Sequence, residues 1–364
     1  MTIGRGYLFQ DNSQFVSYDY SIGKLGDEEV LLRMKVSTIC GSDIHTYKGD
    51  RSLPTPINLG HEGVGIIERL GQNIKVDAMG RELSEGDAIL FLPYIWCNKC
   101  LYCLRGDKTN CKNRISIGSI PFRQEKPSPT GTFSEYLVLP KGVEFIKIEE
   151  NVSDLLSIAP INCSLSTMFH AFSDRLPKIN GRVLAVLGMG ALGLYSSAIA
   201  SYSGAQKVIA IDKNPERLKL AKTFGATDII ETTHLKLGEI HRSIEELTDG
   251  RGVDIVTDVS GYPPLVEDVI KSLDKRGTFL EIGTIFPAII DGISLDEFVK
   301  KGISFSGMRT YEIRHLFEAY NFFLKTRKRF PFEAITGKTF DNADIGEAFK
   351  TAKNGKYVRV GITW

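Results

Sequence analysis

The sequence lacks an excess of charge of either sign. Its 364 residues include 45 lysines and arginines against 44 aspartates and glutamates. A protein that binds nucleic acid or an anionic membrane through charge needs a basic surplus to neutralise phosphate groups. The balance therefore argues against both kinds of partner and favours a small molecule.

Signals for export and for membrane insertion are also scarce. The first residues contain no basic segment followed by an apolar core, the pattern of a secretory signal, so we expect a cytoplasmic location. One apolar run, Val183 to Ser203, has about the length that spans a bilayer. Three glycines interrupt it, and a buried strand followed by a buried helix also gives continuous apolar sequence. We expect a strand and a helix there.

The composition favours a folded protein of two domains. Hydrophobic residues make up 42% of the chain and charged residues 24%, which is typical of a globular protein, and 364 residues suit two cores of ordinary size. Residues from about 5 to 150 contain short strands such as Val30 to Val36 and Ala88 to Leu92, broken by turn residues. This part is predicted to be mostly β, with Pro121 to Pro129 as an exposed loop.

After residue 165 the pattern changes to strands alternating with helices, which predicts βαβ units and a parallel sheet. A six-stranded sheet would account for the apolar runs naturally. From Met308 onward, a helix over Ile313 to Lys325 and a few strands are expected to return to the first domain. The predicted strands and helices are Val183 to Leu187, Ala191 to Ser203, Val208 to Asp212, Pro215 to Phe224, Asp254 to Val259, Thr278 to Ile282 and Ile303 to Ser306.

Cysteine is rare, and four of the six cysteines lie within fifteen residues. Their spacing is C-x2-C-x2-C-x7-C, and they are Cys97, Cys100, Cys103 and Cys111. Four thiolates so close in sequence suit a tetrahedral Zn²⁺ with no open position, which is a structural site. Two local disulfides are the first alternative, disfavoured by the missing secretion signal, and an iron–sulfur cluster is the second.

The other two cysteines occur far apart. A lone cysteine is more often a small buried hydrophobe than a ligand, but Cys40 begins the segment C-G-S-D-I-H, and His61 and Glu62 lie in G-H-E-G-V-G. Cys40, His61 and Cys163 would supply three ligands and leave the fourth position of a zinc ion for water or substrate, as in a catalytic site. Of the remaining histidines, His45 shares this setting, and four are expected to be ordinary surface or core residues, with His315 the nearest of them to the cleft: His170, His234, His241 and His315.

A glycine-rich turn follows the strand that ends at Leu187. Gly188, Gly190 and Gly193 form G-x-G-x-x-G at the start of a predicted helix, the pattern of a dinucleotide-binding turn. Asp212, nineteen residues further on, would accept hydrogen bonds from the ribose hydroxyls and repel a 2′-phosphate, so NAD is expected rather than NADP. Two neighbouring cations, Lys213 and Arg217, would reduce the repulsion between Asp212 and a 2′-phosphate. A structural turn without a nucleotide is the alternative.

Taken together, these motifs resemble the zinc-containing medium-chain dehydrogenases, which include liver-type alcohol, sorbitol and threonine dehydrogenases. The resemblance covers nearly the whole chain and also includes G-x-F-S-E-Y at Gly131 to Tyr136 and D-x-S-G at Asp258 to Gly261. It implies an α/β protein with a GroES-like β-rich catalytic domain, residues 1–164 plus 308–364. A Rossmann-fold NAD-binding domain, residues 165–307, is inserted between the two parts.

The resemblance also implies residue roles. Cys40, His61 and Cys163 would hold a catalytic zinc, with Glu62 as an occasional fourth ligand, and Ser42 and His45 would form a proton relay. The four clustered cysteines would hold the second, structural zinc. The position of Cys163 is usually acidic in polyol-type members, so cysteine favours an alcohol dehydrogenase. Members are commonly dimers or tetramers, so a homo-oligomer is expected.

The implied reaction is hydride transfer between an alcohol and NAD, giving a ketone or aldehyde. We expect a secondary alcohol, cyclic or polar, because Thr38, Ser42, Arg309, Arg314 and His315 are polar candidates for the pocket. Segments Gly307 to Tyr311 and Arg314 to Leu316 are similar to a branch with dehydrogenases of phosphonate catabolism and hydroxylated cyclic compounds. A polyol or hydroxyalkylphosphonate is therefore the alternative substrate. A zinc-free NADPH quinone or enoyl reductase and a non-enzymatic binding protein are the other function classes.

Overall fold

The computed structural model describes residues 2–10, 13–122, 129–149, 152–236, 238–290 and 293–364. It divides into two compact units. The first unit contains Met1–Ser166, Tyr311–Asn321 and Phe332–Trp364, and the second contains Thr167–Thr310 and Phe322–Pro331. Most of the loop expected at Pro121 to Pro129 lies outside the described residues.

The limits of the two units differ from the expected domain limits by two residues at 165–166, by three at 308–310, and by a longer segment at 322–331. The sequence placed 322–331 in the catalytic domain with the rest of 308–364, but this segment belongs to the second unit. Aromatic packing explains the difference, because the Phe322 ring lies 5.4 Å from the ring of Phe169 and 5.3 Å from that of Tyr202. Phe330 stacks on Phe224 at 6.2 Å. Chain order gave no indication of these contacts.

The first 150 residues form mostly short strands, as their pattern of turn residues predicts. Two short helices, α1 (Gly41–Lys48) and α2 (Leu101–Leu104), lie among them. The strands are β1 (Thr2–Gln10), β2 (Gln14–Ile22), β3 (Val30–Thr38), β4 (Glu62–Leu70), β5 (Ala88–Phe91), β6 (Tyr94–Ile95), β7 (Ile115–Ser116), β8 (Tyr136–Leu139) and β9 (Phe145–Lys147).

Strands and helices alternate in the chain after residue 150. The elements in chain order are α3 (Leu155–Ile158), α4 (Ser164–His170), β10 (Val183–Leu187), α5 (Ala191–Tyr202), β11 (Lys207–Asp212), α6 (Pro215–Thr223), β12 (Asp228–Glu231), α7 (Glu239–Leu247), β13 (Val253–Asp258), α8 (Pro263–Ile270), β14 (Leu273–Glu281), α9 (Leu295–Lys301) and β15 (Ser304–Gly307). The described strands of the second unit form a parallel sheet in the order β12-β11-β10-β13-β14-β15. This six-stranded sheet confirms the Rossmann-type expectation.

The long apolar run is a strand and a helix, as expected. Every residue of β10 is buried, because parallel strands are covered on both faces, and most of α5 is buried as well. Among the described residues, no single helix is long and apolar enough to span a bilayer. One bent helix pair, Leu155–Asn162 with Ser164–Arg175, meets that test by length and composition.

The chain ends with α10 (Ile313–Thr326), β16 (Thr336–Asp341), α11 (Ile345–Lys353) and β17 (Arg359–Thr363). Strand β17 lies between β16 and β3 in the main sheet of the first unit, whose described order is β16-β17-β3-β4-β5-β9, with β8 also on β3. The pairing of Gly361 with Thr38 brings the start of β17 to the end of β3, next to Cys40. A residue near position 359 thereby reaches the segment that contains Cys40.

Candidate active site and metal centres

Three loops of the first unit bring metal-binding side chains together. Cys40 is the residue before α1, His61 precedes β4, and Cys163 follows a short 3-10 helix at Ala159–Asn162. Their donor atoms and a carboxylate oxygen of Glu62 all lie within 4.8 Å of one another. The structure therefore brings together four residues that the sequence grouped from three separate segments of the chain.

Asp43 orients two of these side chains. One of its carboxylate oxygens accepts a hydrogen bond of 3.0 Å from the backbone N–H of Cys40, and the other lies 3.5 Å from Nδ1 of His61. A carboxylate on Nδ1 fixes the ring so that Nε2 is available to a metal, a common arrangement behind histidine ligands. The Asp43 side chain is only 2% exposed, so it is held in place by packing.

The two thiols form a coupled pair with a Sγ to Sγ distance of 3.9 Å. The hydrogen bond from the Cys163 thiol lowers the pKa of Cys40, against the effect of burial, and the Arg359 charge lowers it further. The same contact raises the pKa of Cys163, as does burial. The site thus stabilises negative charge on Cys40 first, which is the form that binds a metal.

A buried ion pair lies behind the thiols. Arg359, from β17, donates to both carboxylate oxygens of Glu62, at 2.9 and 3.0 Å, and Thr38 donates to the same carboxylate at 2.7 Å. Arg359 also donates to Ser164 at 2.6 Å and lies 3.6 Å from the sulfur of Cys40. Burial raises the pKa of Glu62 to about 7 although Arg359 lowers it. To act as a ligand, Glu62 would have to give up part of the Arg359 pair.

Ser42 and His45 lie three residues apart on α1, so their side chains leave the same face of the helix. His45 is 31% exposed and its Nδ1 lies 3.0 Å from a carboxylate oxygen of Asp50. Asp50 therefore orients the imidazole, although the sequence motifs did not indicate it. The geometry suits proton movement from the half-buried Ser42 toward solvent.

The clustered cysteines form a separate lobe around α2. Backbone N–H groups of Lys99 and Cys100 point at Cys97 and lower the pKa of its thiol to about 6, although burial opposes this. Burial instead raises the pKa of Cys103 to about 12. Backbone donors of this kind stabilise a thiolate and hold its direction.

Distances between the thiols decide between the chemical alternatives for this lobe. All six cysteines of the chain are unbridged, whereas disulfide sulfurs would be about 2.05 Å apart. The Sγ separations are 3.6 Å for Cys100 to Cys103, 4.0 Å for Cys97 to Cys103 and 4.0 Å for Cys100 to Cys111. Four thiolates about 2.3 Å from one zinc ion would be about 3.8 Å apart. The disulfide alternative is therefore wrong, and the spacing fits one ion better than a cluster, which spreads its ligands over several irons.

The glycine-rich turn of the second unit is shaped for close approach. Gly188 has a φ of 91°, and a Cβ there would lie 2.9 Å from the backbone of Ser260. A Cβ on Gly193 would lie 1.9 Å from the carbonyl oxygen of Gly188, so this glycine allows α5 to pack against the turn. At Gly190 a Cβ would meet nothing within 4 Å. Gly190 is also the N-cap of α5 and has no side chain to cap the helix. Open space therefore adjoins the first N–H groups of the helix, which favour binding of a phosphate.

Asp212 ends β11 beside this turn. One carboxylate oxygen accepts from the backbone N–H of Met189 at 2.5 Å and the other from that of Asn214 at 2.8 Å. Lys213 is exposed and Arg217 half-buried. Asp212 is therefore fixed next to the glycine-rich turn, the location that a ribose-binding carboxylate requires.

Several other sequence candidates have different surroundings. His315 is fully buried and its Nδ1 accepts from the backbone N–H of Glu312 at 3.0 Å, so it is an ordinary core residue, one of the two settings expected for it. Arg309 and Arg314 are exposed. His234 is exposed, and two histidines bond to nearby groups: His170 to the carbonyl of Thr310 and His241 to Ser272.

Comparisons with known proteins identify the protein family to which this fold and site belong. The model of the alcohol dehydrogenase GroES-like domain matches residues 26–150, and that of the zinc-binding dehydrogenase domain matches 191–325. An L-threonine 3-dehydrogenase of Bacillus licheniformis is 31% identical over 305 residues, covering 82% of this chain and 80% of that protein. A 5-exo-hydroxycamphor dehydrogenase of Pseudomonas putida is 25% identical over 360 residues, covering 99% and 98%.

A crystal structure of an alcohol dehydrogenase from Thermotoga maritima superimposes with a TM-score of 0.93 at 25% identity, covering all of both chains. The chain belongs to the zinc-containing medium-chain alcohol dehydrogenase family. It is accordingly an oxidoreductase with a GroES-like part and a Rossmann-type part, as the motifs predicted.

Proposed function

We propose that this protein oxidises a secondary alcohol, cyclic or polar, to a ketone with NAD as the hydride acceptor. The convergence of Cys40, His61 and Cys163 beside the buried Glu62 carries the proposal, because three ligands leave one zinc position for a substrate oxygen. The alcohols in the names of the two relatives, 5-exo-hydroxycamphor and L-threonine at position 3, are secondary alcohols, which supports this substrate class. A polyol or a hydroxyalkylphosphonate is the alternative within the family.

The two ligand sets support a proposal of two zinc ions per chain. Cys40, His61 and Cys163 would hold the catalytic ion, and the structural ion would be held by Cys97, Cys100, Cys103 and Cys111. When bound, the catalytic zinc supplies a Lewis acid that lowers the pKa of an alcohol, and NAD supplies the hydride acceptor.

The protein's own groups orient the ligands and move the proton. Asp43 holds the His61 ring, and Arg359 balances the charge of Glu62 so that this carboxylate stays next to the ligands. The Ser42 hydroxyl takes part in proton transfer, and His45 passes the proton to solvent with Asp50 stabilising the charged ring. Positioned acid–base groups of this kind contribute about 10²- to 10⁴-fold to rate.

The second unit would bind the dinucleotide. Gly188, Gly190 and Gly193 would shape the turn for the pyrophosphate, and Asp212 would accept from the adenosine ribose. The Asp212 carboxylate would repel a 2′-phosphate, which favours NAD over NADP, and the neighbouring cations Lys213 and Arg217 limit the strength of this preference.

We assign catalysis to the first unit and cofactor binding to the second, and we propose a cytoplasmic homo-dimer or homo-tetramer without nucleic-acid or membrane partners. The edge strand β15 supports self-association. Phe305 in that strand is 45% exposed, and Val299 and Leu295 in the preceding helix are 83% and 76% exposed. Exposed apolar side chains next to an unpaired strand edge favour pairing with another copy.

The test is to measure zinc and activity in the same preparations. We expect two zinc ions per chain by elemental analysis and NAD⁺ reduction with secondary alcohols. Cys163→Ala should lose one zinc ion and at least about 10²-fold in kcat/KM, since the metal acts on the reacting oxygen. Ser166→Ala, a matched change at a buried serine three residues further on, in α4, should keep both. A wild type that lacks zinc and reduces quinones or enones with NADPH would contradict the proposal and identify the reductase class.

A further inference from the structure

Beside the catalytic ligand set lies an aromatic pair, Tyr94 and Tyr311, whose rings meet edge to face at 5.7 Å. The hydroxyl of Tyr311 donates to the carbonyl of Asn162, the residue before Cys163. Burial raises the pKa of the Tyr94 phenol, and the thiols of Cys163 and Cys40 raise it further. The half-buried Tyr94 thus packs on Tyr311, which is bonded to the residue before Cys163, so it adjoins the segment that carries this proposed ligand.

Arg114 also contacts the ring of Tyr94. Its guanidinium carbon lies 5.4 Å from the centroid of the Tyr94 ring, a cation–π contact. The backbone supports this position, because Tyr94 and Ser116 pair directly in the short ribbon of β6 and β7, and Arg114 is the residue before β7. The pairing of β6 with β7 and the cation–π contact thus hold the Arg114 guanidinium over the Tyr94 ring.

A second guanidinium, that of Arg51, comes from the turn after α1, the helix that carries the proposed proton relay. The backbone N–H of Arg51 donates to the carbonyl of His45 at 3.2 Å, and its side chain donates to the Ser119 hydroxyl at 3.5 Å. Like that of Arg114, its charge lowers the pKa of Tyr94, so both cations act on the same hydroxyl.

The charge of Arg51 has no acidic counterpart in the described part of the chain. Arg51 forms no ion pair with a described carboxylate, and its side-chain hydrogen bond is to the neutral Ser119. The adjacent Asp50 is bonded to His45 instead. A half-buried cation without a counterion attracts an anion more strongly than one in open solvent, because the low local dielectric screens it less.

We propose that Arg51 and Arg114 bind an acidic group of the substrate, so that the alcohol carries a carboxylate or a phosphoryl group in the same molecule. The inference rests on the proposed alcohol dehydrogenase function and specifies its substrate class. Guanidinium groups bind both kinds of anion through paired, charge-assisted hydrogen bonds. Fixing the anion near Tyr94 would orient the hydroxyl toward Cys40, His61 and Cys163.

The test compares each acid with its neutral ester, so that the reacting alcohol stays the same. The carboxylate arm uses 3-hydroxybutyrate and its methyl ester, and the phosphonate arm uses 2-hydroxypropylphosphonate and its dimethyl ester. Wild type should prefer the acid in at least one arm, and the preferred arm identifies the anion. Arg51→Met and Arg114→Met should lower kcat/KM for that acid by about 10- to 100-fold, the effect of losing one charge-assisted hydrogen bond, and change the ester by less than about 2-fold.

Two controls separate recognition from folding and from general charge. Arg105→Met removes an exposed arginine of the neighbouring lobe and should leave acids and esters unchanged. Arg51→Lys keeps the charge and should retain part of the preference for the acid. Calorimetric titration of the zinc-loaded wild type with malonate or methylphosphonate should give a Kd that Arg51→Met weakens about 10-fold or more.

The outcomes distinguish this inference from the proposed function. Oxidation of the esters with no preference for either acid would overturn the anion site and leave the dehydrogenase function standing. Equal losses on acid and ester in both methionine variants would also overturn it. If the wild type oxidised neither acids nor esters, the proposed function itself would fail.

Discussion

Replacing Asp258 by asparagine should remove a pH-dependent part of the stability of the second unit. Asp258 ends β13 directly beside Glu281, which ends β14. Its Oδ1 accepts from the N–H and the hydroxyl of Ser260, at 2.8 and 2.7 Å, while its buried Oδ2 has no donor among the described residues. A proton on Oδ2 would be shared with Glu281 and remove the repulsion between the two carboxylates.

Burial and the neighbouring Glu281 charge raise the pKa of Asp258 to about 7, from an ordinary value of 3.8. The folded state holds this proton more tightly than the unfolded state does. The contribution of the protonated Asp258 to the free energy of unfolding is therefore complete below pH 3.8 and is lost as the pH rises through about 7. Each pKa unit corresponds to about 1.4 kcal/mol. Between pH 5 and pH 8 the wild type should therefore lose up to about 3 kcal/mol from this pair, which titrates as a unit.

Asparagine at this position donates to Glu281 at every pH and resembles the protonated acid. The free energy of unfolding of Asp258→Asn relative to wild type should therefore increase by up to about 3 kcal/mol between pH 5 and pH 8. The assay is urea unfolding of the cofactor-free protein followed by circular dichroism at several pH values. Glu231→Gln, at the exposed end of β12, is the control and should show no such trend. Parallel pH curves for Asp258→Asn and wild type would refute the reasoning.

Three further predictions concern the metal lobe, the cofactor and the buried ion pair. Cys100→Ser should lose one zinc ion and lower the Tm by about 10 °C or more, since metal binding is part of the folding energy, and full zinc with an unchanged Tm would exclude the structural role. Asp212→Gly should raise the kcat/KM ratio of NADP⁺ to NAD⁺ by roughly 10- to 100-fold, and an unchanged ratio would show that Asp212 does not contact the ribose. Arg359→Met should cost about 3–5 kcal/mol in urea unfolding by isolating the Glu62 charge, and adding Glu62→Gln should recover part of it. Additive losses would indicate that the pair is not coupled.

Short motifs made much of the site predictable. The four-cysteine spacing needs no knowledge of the fold, because neighbouring thiols reach one ion from a single loop. The glycine-rich turn is similar, since a strand, a turn and a helix are consecutive in sequence. Cys40, His61 and Cys163 were grouped through family motifs rather than spacing, and the structure places their donor atoms together.

The supporting residues were not predictable in the same way. Asp43 lies within the first motif, but its contacts with Cys40 and His61 require the geometry of α1. Arg359 reaches Glu62 across a separation of 297 residues. The sequence around Arg359 contains one indication of this contact. Arg359 is a charged residue inside the apolar stretch V-R-V-G-I, and a buried charge requires a partner.

The sequence separations of these contacts also set an order of assembly for the metal centres. The most distant bonded cysteines of the lobe, Cys97 and Cys111, are 14 residues apart, whereas Cys40 and Cys163 are 123 apart. Closing a short loop costs less entropy and is faster, so the lobe should capture its ion early in folding. The site of Cys40, His61 and Cys163 can form only after long-range strand pairing. Glu62 has no counterion until β17 pairs with β3. Zinc added late in refolding should therefore restore activity while leaving part of the lobe misfolded. Zinc present from the start should restore activity and also give a correctly folded lobe.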